Sequence, residues 1–291
     1  MVVVECTIFS LFGVKSMRLQ LKKFDITSIK PTSVVVMIGQ RNTGKSILVR
    51  DLLFHHQDLP LGICISGSEG SNEFYREMCP SVFIHEEYTP ELVEKFVNRQ
   101  KMITKKKKKE DRLYGNSKID PRAFIVMDDC LYDKGWTNDK NIRACFLNGR
   151  HFNAFFVFTS QYALAAPPIL RNNIDFVFIL REPRILARKK LYENYAGFLP
   201  SYEVFSQIFD QTSENFECLV IDNTTKSNKI TDQLFWYKAP LRPEFQLCDK
   251  MFWQMNNEIE SEDEEQEELY EAENMPMRKG IPKINVNKMY G

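Results

Sequence analysis

Paired thiolates are missing from this chain. Its seven cysteines, Cys6, Cys64, Cys79, Cys130, Cys145, Cys218 and Cys248, are odd in number, scattered, and include no C-x-x-C pair. That excludes a disulfide framework and a thiolate zinc site and fits a reducing compartment. The four histidines, His55, His56, His85 and His151, fall into no ligand spacing. No apolar run is long enough to span a bilayer; the longest candidate, Met1–Val14, is short and interrupted by Glu5. It has neither a basic leader nor a small-residue cleavage site, so a signal peptide is not expected. The N-K-x-D signature of guanine readers is absent as well.

Net charge is also lacking, with 39 basic and 39 acidic side chains in 291 residues. The balance hides an asymmetry. Residues 258–273 hold ten acidic side chains and no basic one, which leaves residues 1–257 with 35 basic and 29 acidic groups, about +6. A mildly basic body permits a nucleic-acid partner. From Glu258 onward the acidic run and the proline-containing stretch that follows it read as disordered. The expected organisation is an N-terminal extension over 1–16, forming an added edge strand or a loose segment, a nucleotide-binding domain over 17–250, and an acidic tail over 251–291.

What is present is Gly39-Gln40-Arg41-Asn42-Thr43-Gly44-Lys45-Ser46, a full match to G-x-x-x-x-G-K-[ST]. The apolar run Val34–Ile38 leads into it as a buried strand, and Ser46–Phe54 leaves it at helical spacing. Gly39 and Gly44 are expected at backbone angles that turn successive N–H groups inward around a phosphate, assisted by the helix N-terminus. Lys45 would reach the β- and γ-phosphates of ATP, and the Ser46 hydroxyl would ligate Mg²⁺.

A second motif is Ala123–Asp129, an apolar strand ending in two acids. Asp128 would hold Mg²⁺ through water, and Asp129 would orient or deprotonate the attacking water. A further apolar strand, Ala154–Ser160, ends next to Gln161, a polar group placed to touch the γ-phosphate or the water. Other strands are expected near Arg18–Phe24, Leu61–Ser66, Val82–His85, Phe176–Leu180, Glu217–Asp222 and Leu234–Tyr237. Helices are expected at Pro90–Ile103, Asn138–Asn148, Pro183–Tyr195 and Ser201–Asp210. Strands alternating with helical stretches imply an α/β fold with a parallel sheet. The five lysines Lys105–Lys109 are read either as a solvated helix end or loop, or as a contact to a nucleic-acid backbone.

These motifs, with the stretches Ile38–Asp51, Phe124–Cys130, Gly149–Gln161, Pro168–Leu180, Asn215–Asp222 and Asp232–Ala239, resemble the genome-packaging ATPases of large nucleocytoplasmic DNA viruses. That family lies within the FtsK–HerA group of P-loop DNA translocases. The likeness covers about Met17–Ala239. It implies a RecA-like α/β core with a mainly parallel central sheet, ATP hydrolysis with Mg²⁺, a homo-oligomer, commonly a ring, and double-stranded DNA as the cargo. It also implies a docking protein of the capsid or inner membrane, and action at the assembly site in the host cytoplasm or in association with the particle. Lys45, Ser46, Asp128 and Gln161 match the family's phosphate, metal and sensor positions. The wider group often has glutamate after the Walker B aspartate; here it is Asp129, one methylene shorter, as in the virus branch. An arginine finger for a neighbouring subunit would come from Arg150, Arg171 or Arg181, with Arg150 placed first. The alternative from another class is a P-loop kinase acting on a small molecule. Such kinases usually lack an acid directly after the Walker B aspartate.

Overall fold

The structure, a computed structural model, describes residues 2–10, 13–129, 134–164, 166–259 and 261. Cys130 and most of the acidic run beyond Ile259 lie outside the described residues. In chain order the elements are β1 (Val2–Ser10), β2 (Gly13–Lys23), β3 (Val34–Ile38), α1 (Lys45–Phe54), β4 (Gly62–Ser66), α2 (Glu69–Asn72), β5 (Ile84–His85), α3 (Pro90–Tyr114) and β6 (Ala123–Asp128). They continue as α4 (Lys140–Asn148), β7 (Ala154–Ser160), α5 (Pro168–Arg171), β8 (Phe176–Ile179), α6 (Ile185–Tyr195), α7 (Tyr202–Thr212), β9 (Glu217–Asp222), α8 (Ile230–Gln233) and β10 (Leu234–Lys238).

All ten strands join one sheet in the order β1-β2-β10-β9-β8-β3-β7-β6-β4-β5. The six from β8 to β5 run parallel, while β9 is antiparallel to both its neighbours. Every residue of β3 and β7 is buried, as expected of strands with both faces covered. The register sets Ile38 opposite Ser160 on one side and Ile179 on the other. The strand leading into the phosphate loop therefore lies between β7 and β8, and β7 separates it from β6. All four end at the same pole of the sheet, where open α/β sheets place their ligand crevices.

Several expectations are adjusted. Residues 1–16 contribute β1, the added edge strand that was one of the two expectations, and the start of β2, so the boundary expected at Met17 falls inside a strand. Val82–His85 forms a short 3-10 turn followed by a two-residue strand. After β4 the chain makes the helical turn α2, preceded by Ser68. Helix α3 does not stop near Ile103 but runs to Tyr114, so Lys105–Lys109 sits within a helix rather than at its end or in a loop. Lysine, glutamate and arginine are good helix formers, Thr89 caps the start by accepting from the Leu92 N–H, and Gly115 (φ +79°) ends it.

The chain divides into a unit of residues 1–249 and one of residues 250–291. Within the second, residues 250–259 are helical, where the sequence suggested the start of a disordered tail; Met, Phe, Trp and Gln at 251–254 permit a helix that the acids farther on do not indicate. Among the described residues no helix is long and apolar enough to cross a membrane.

Candidate active site

The phosphate loop leaves β3 and turns into α1 within six residues. Asn42 (φ +60°) and Gly44 (φ +98°) hold the left-handed angles of the turn. Gly39 is not in that region, so its role differs from the expected one. A Cβ there would lie 2.8 Å from Leu180 Cβ and 2.7 Å from Thr43 Oγ1, so glycine is required for space. The loop is tied to both neighbouring strands. Gly39 N–H donates to Ser160 O (3.0 Å), and Leu180 N–H donates to Ile38 O (2.8 Å). Thr43 Oγ1 donates to Gln40 O (2.7 Å), and Gln40 Nε2 donates to Glu182 Oε1 (2.7 Å). Burial would raise the Glu182 carboxyl, but hydrogen bonds from Arg184 and Gln40 more than offset it and hold the group low.

Lys45 is the first residue of α1 and is buried, and its ammonium meets Asp129 Oδ2 at 2.5 Å. Gln161 Nε2 donates to the same oxygen at 3.1 Å. Three residues separated by 84 and 32 positions thus meet at one carboxylate, at the ends of β3, β6 and β7. Asp129 itself sits at φ +47°, which bends the chain away from β6 and turns its side chain toward Lys45. A cleft of about 780 Å³ opens here, lined by Gln40–Asn42, Gly44–Ile47, Gly67, Ser68, Asp129, Gln161 and Phe216.

Asp128 is held differently. It accepts from the Thr159 hydroxyl and from Tyr75 OH (2.9 Å), while Thr159 Oγ1 accepts the Asp129 N–H (3.2 Å). Burial pushes the Asp128 carboxyl up, opposed by those two hydrogen bonds. Both its oxygens are occupied by protein donors, which suits a carboxylate that holds a metal through water. The Ser46 hydroxyl lies exposed on the cleft. This all-oxygen set suits Mg²⁺, which keeps most of its waters and takes few protein ligands.

Tyr75, Thr159 and Glu182 were not singled out by the sequence. Tyr75 reaches Asp128 across 53 residues and Glu182 reaches Gln40 across 142, so no local pattern could reveal them. Thr159 could have been found, as the first polar residue of an otherwise apolar strand.

The three arginines separate. Arg171 is committed to Ala166 O (2.8 Å) and Asn194 Oδ1 (2.6 Å). Arg181 is exposed directly after β8, at the pole of the phosphate loop. Arg150 precedes β7, 3.9 Å from Asp175, beside Thr32 and Ser33 at the start of β3. It lies at the opposite pole from its own cleft.

The chain has relatives among known viral proteins. The chain is 38% identical over 223 residues to the uncharacterized protein L437 of Acanthamoeba polyphaga mimivirus, covering 76% of this chain and 78% of the relative. It is 36% identical over 233 residues to the uncharacterized protein 075L of Invertebrate iridescent virus 6, covering 76% and 86%. The chain belongs to this family of large DNA virus proteins. No protein-family model matches it. Among solved structures, the genome-packaging NTPase B204 of Sulfolobus turreted icosahedral virus 2, in complex with AMP, aligns with a TM-score of 0.50 at 14% identity, over 73% of this chain and all of that one. EssC (ATPases 2 and 3) of Geobacillus thermodenitrificans aligns at 0.50 and 16%, over 97% and 51%. These likenesses establish the P-loop NTPase fold, in agreement with the mainly parallel sheet above.

Proposed function

We propose that this family member is an ATP-hydrolysing motor that moves double-stranded DNA, packaging a viral genome into the particle. The observation that supports it most is the meeting of Lys45, Asp129 and Gln161 in one cleft. Lys45 offsets charge on the β- and γ-phosphates. Asp129, freed from Lys45 by the incoming phosphate, takes the proton of a water whose oxygen attacks the γ-phosphorus, and ADP leaves with the bridging oxygen. Gln161 holds Asp129 or the water in line. Mg²⁺, when bound at Ser46 and the Asp128 side, supplies charge neutralisation on the phosphates. A directly placed acid for water activation favours this reading over a kinase acting on a small molecule.

DNA as cargo is supported by α3. Lys101, Lys105, Lys108 and Arg112 recur at helical spacing along one exposed face, and with His151 they border a cleft of about 610 Å³. Lys107 is paired with Asp111, but among the described residues no ion pair engages those four. Unpaired cations in a row suit a phosphate backbone. They stand at the pole opposite the phosphate cleft, where Gln100 on α3 donates to Phe152 O (3.0 Å) just before β7.

The test is ATP hydrolysis by the full chain, with and without duplex DNA, alongside oligomer mass. Stimulation by DNA is expected. Replacing Lys105, Lys108 and Arg112 by alanine should weaken DNA binding uniformly across sequences and lower the salt slope by about three. Hydrolysis indifferent to DNA, with DNA binding unchanged in the triple variant, would remove DNA as the cargo.

A further inference from the structure

A second cleft, of about 250 Å³, shares a wall with the phosphate cleft. Gly44, Ile47 and Phe216 line both. The rest of its lining is mostly aliphatic, including Leu48, Leu180 and Leu241, and among the described residues Lys238 is its one charged side chain. The Cys218 thiol is directed to Tyr237 O (3.5 Å), and burial pushes that thiol well above its ordinary range, so it stays protonated and engaged.

Phe216 stands out on two counts. It is 64% exposed, although large and apolar. It also holds φ +63°, next to Asn215 at φ +52°, a conformation that bulky side chains avoid. The turn closes when Glu217 N–H donates to Glu214 O (2.8 Å), and β9 begins at once. The result is a ring held against the phosphate loop, its Cδ1 3.5 Å from where a Gly44 Cβ would stand. Strain that orients an exposed ring toward a cleft does nothing for the core, and backbone strain of this kind collects at ligand sites.

We propose that this apolar cleft takes the purine base of the nucleoside triphosphate, with Phe216 as its stacking wall. The proposal rests on the reading of the Lys45 cleft as the phosphate site. A base is joined to its phosphates through one sugar, so its pocket must adjoin theirs, and here the two share three residues. An aliphatic lining fits the faces of a purine but reads little of its hydrogen-bonding edge. The base is therefore selected by shape and stacking, and adenine and guanine are accepted with similar affinity, in contrast to the preference for ATP that the missing N-K-x-D signature suggests.

Steady-state kinetics of the full-chain protein with ATP and GTP, and inhibition by inorganic tripolyphosphate, test this. The wild-type KM values for ATP and GTP should agree within about tenfold. Phe216→Ala should raise the KM for ATP by about ten- to a hundredfold, the scale of losing one base–aromatic stack, while the inhibition constant of tripolyphosphate stays within about twofold. Phe216→Trp should restore the ATP value. Phe216→Gly should raise KM like alanine without lowering Tm, because glycine relieves the left-handed backbone. An ATP KM that ignores Phe216→Ala, or ATP and tripolyphosphate weakening together, would overturn the base site. If tripolyphosphate does not bind the wild-type protein at all, the phosphate-cleft reading fails first and the base site falls with it.

Discussion

Replacing Asp129 by asparagine separates two roles that one carboxylate performs. In the structure it neutralises Lys45, whose side chain is 9% exposed, while its own is 32% exposed. A triphosphate must displace this contact to reach the lysine. A hydrogen bond between charged groups contributes about 1.5–3 kcal/mol when shielded, and the partial exposure of Asp129 reduces that to about 1 kcal/mol. Asparagine keeps the shape and removes the charge, so ATP no longer competes with an anion for Lys45. At about 1.4 kcal/mol per tenfold, Asp129→Asn should bind ATP roughly fivefold more tightly than wild type. Hydrolysis should nevertheless fall by about 10²-fold or more, the scale of a positioned acid–base group. Titration of a fluorescent ATP analogue, paired with single-turnover hydrolysis, reads both quantities. Asp128→Asn is the contrast. Its carboxylate answers to Thr159 and Tyr75 rather than Lys45, so this variant should lose Mg²⁺-dependent binding. If Asp129→Asn also weakens ATP binding and loses its dependence on Mg²⁺, both aspartates are metal ligands and the division of roles is refuted.

Lys45→Ala should abolish ATP binding with the far-ultraviolet circular dichroism spectrum retained, since it removes the charge the phosphates need; unchanged affinity would refute the phosphate site. Arg150→Ala should bind ATP yet fail to hydrolyse it, and mixing it with Lys45→Ala subunits should recover part of the activity. Arg150 lies at the pole opposite its own cleft, so any part it takes in hydrolysis would be at a neighbour's. Mixed oligomers confirmed by mass but inactive would move that role to Arg181. His56, 5% exposed and 4.4 Å from the Phe155 ring, has its pKa lowered to about 4, chiefly by burial. It is neutral in the folded protein and takes up a proton more readily when unfolded, so stability should fall as pH drops from about 6.5 to about 4, by up to about 3 kcal/mol. Urea unfolding of His56→Gln across that range should show a flatter pH dependence, and a slope equal to wild type would remove His56 as the cause.

The residues of the phosphate loop announced themselves because their chemistry is local. Two glycines, a lysine and a hydroxyl must lie within eight positions to wrap a phosphate, so Gly39–Ser46 was legible without a fold. The strands β3, β6 and β7 were equally legible, because a strand buried on both faces must be apolar throughout, and so were the acids where β6 ends. Even the lysine-rich face of α3 could be seen as a charge run, though not as the interior of a 25-residue helix, since its C-terminal stop, Gly115, lies beyond the run. Strand order was not legible. That β7 inserts between β3 and β6, that β9 runs against its neighbours, and that the first hairpin extends the same sheet all follow from side-chain packing between segments distant in sequence. The partners of Asp128, the space constraint at Gly39, the far-pole position of Arg150 and the ring of Phe216 against the phosphate loop depend on the same long-range packing. Sequence determined where the phosphate-binding pattern lies, because that pattern is carried by consecutive residues. Only the tertiary structure decided what restrains those groups and what else lines the cleft, because those contacts are made across 30 to 172 positions of chain.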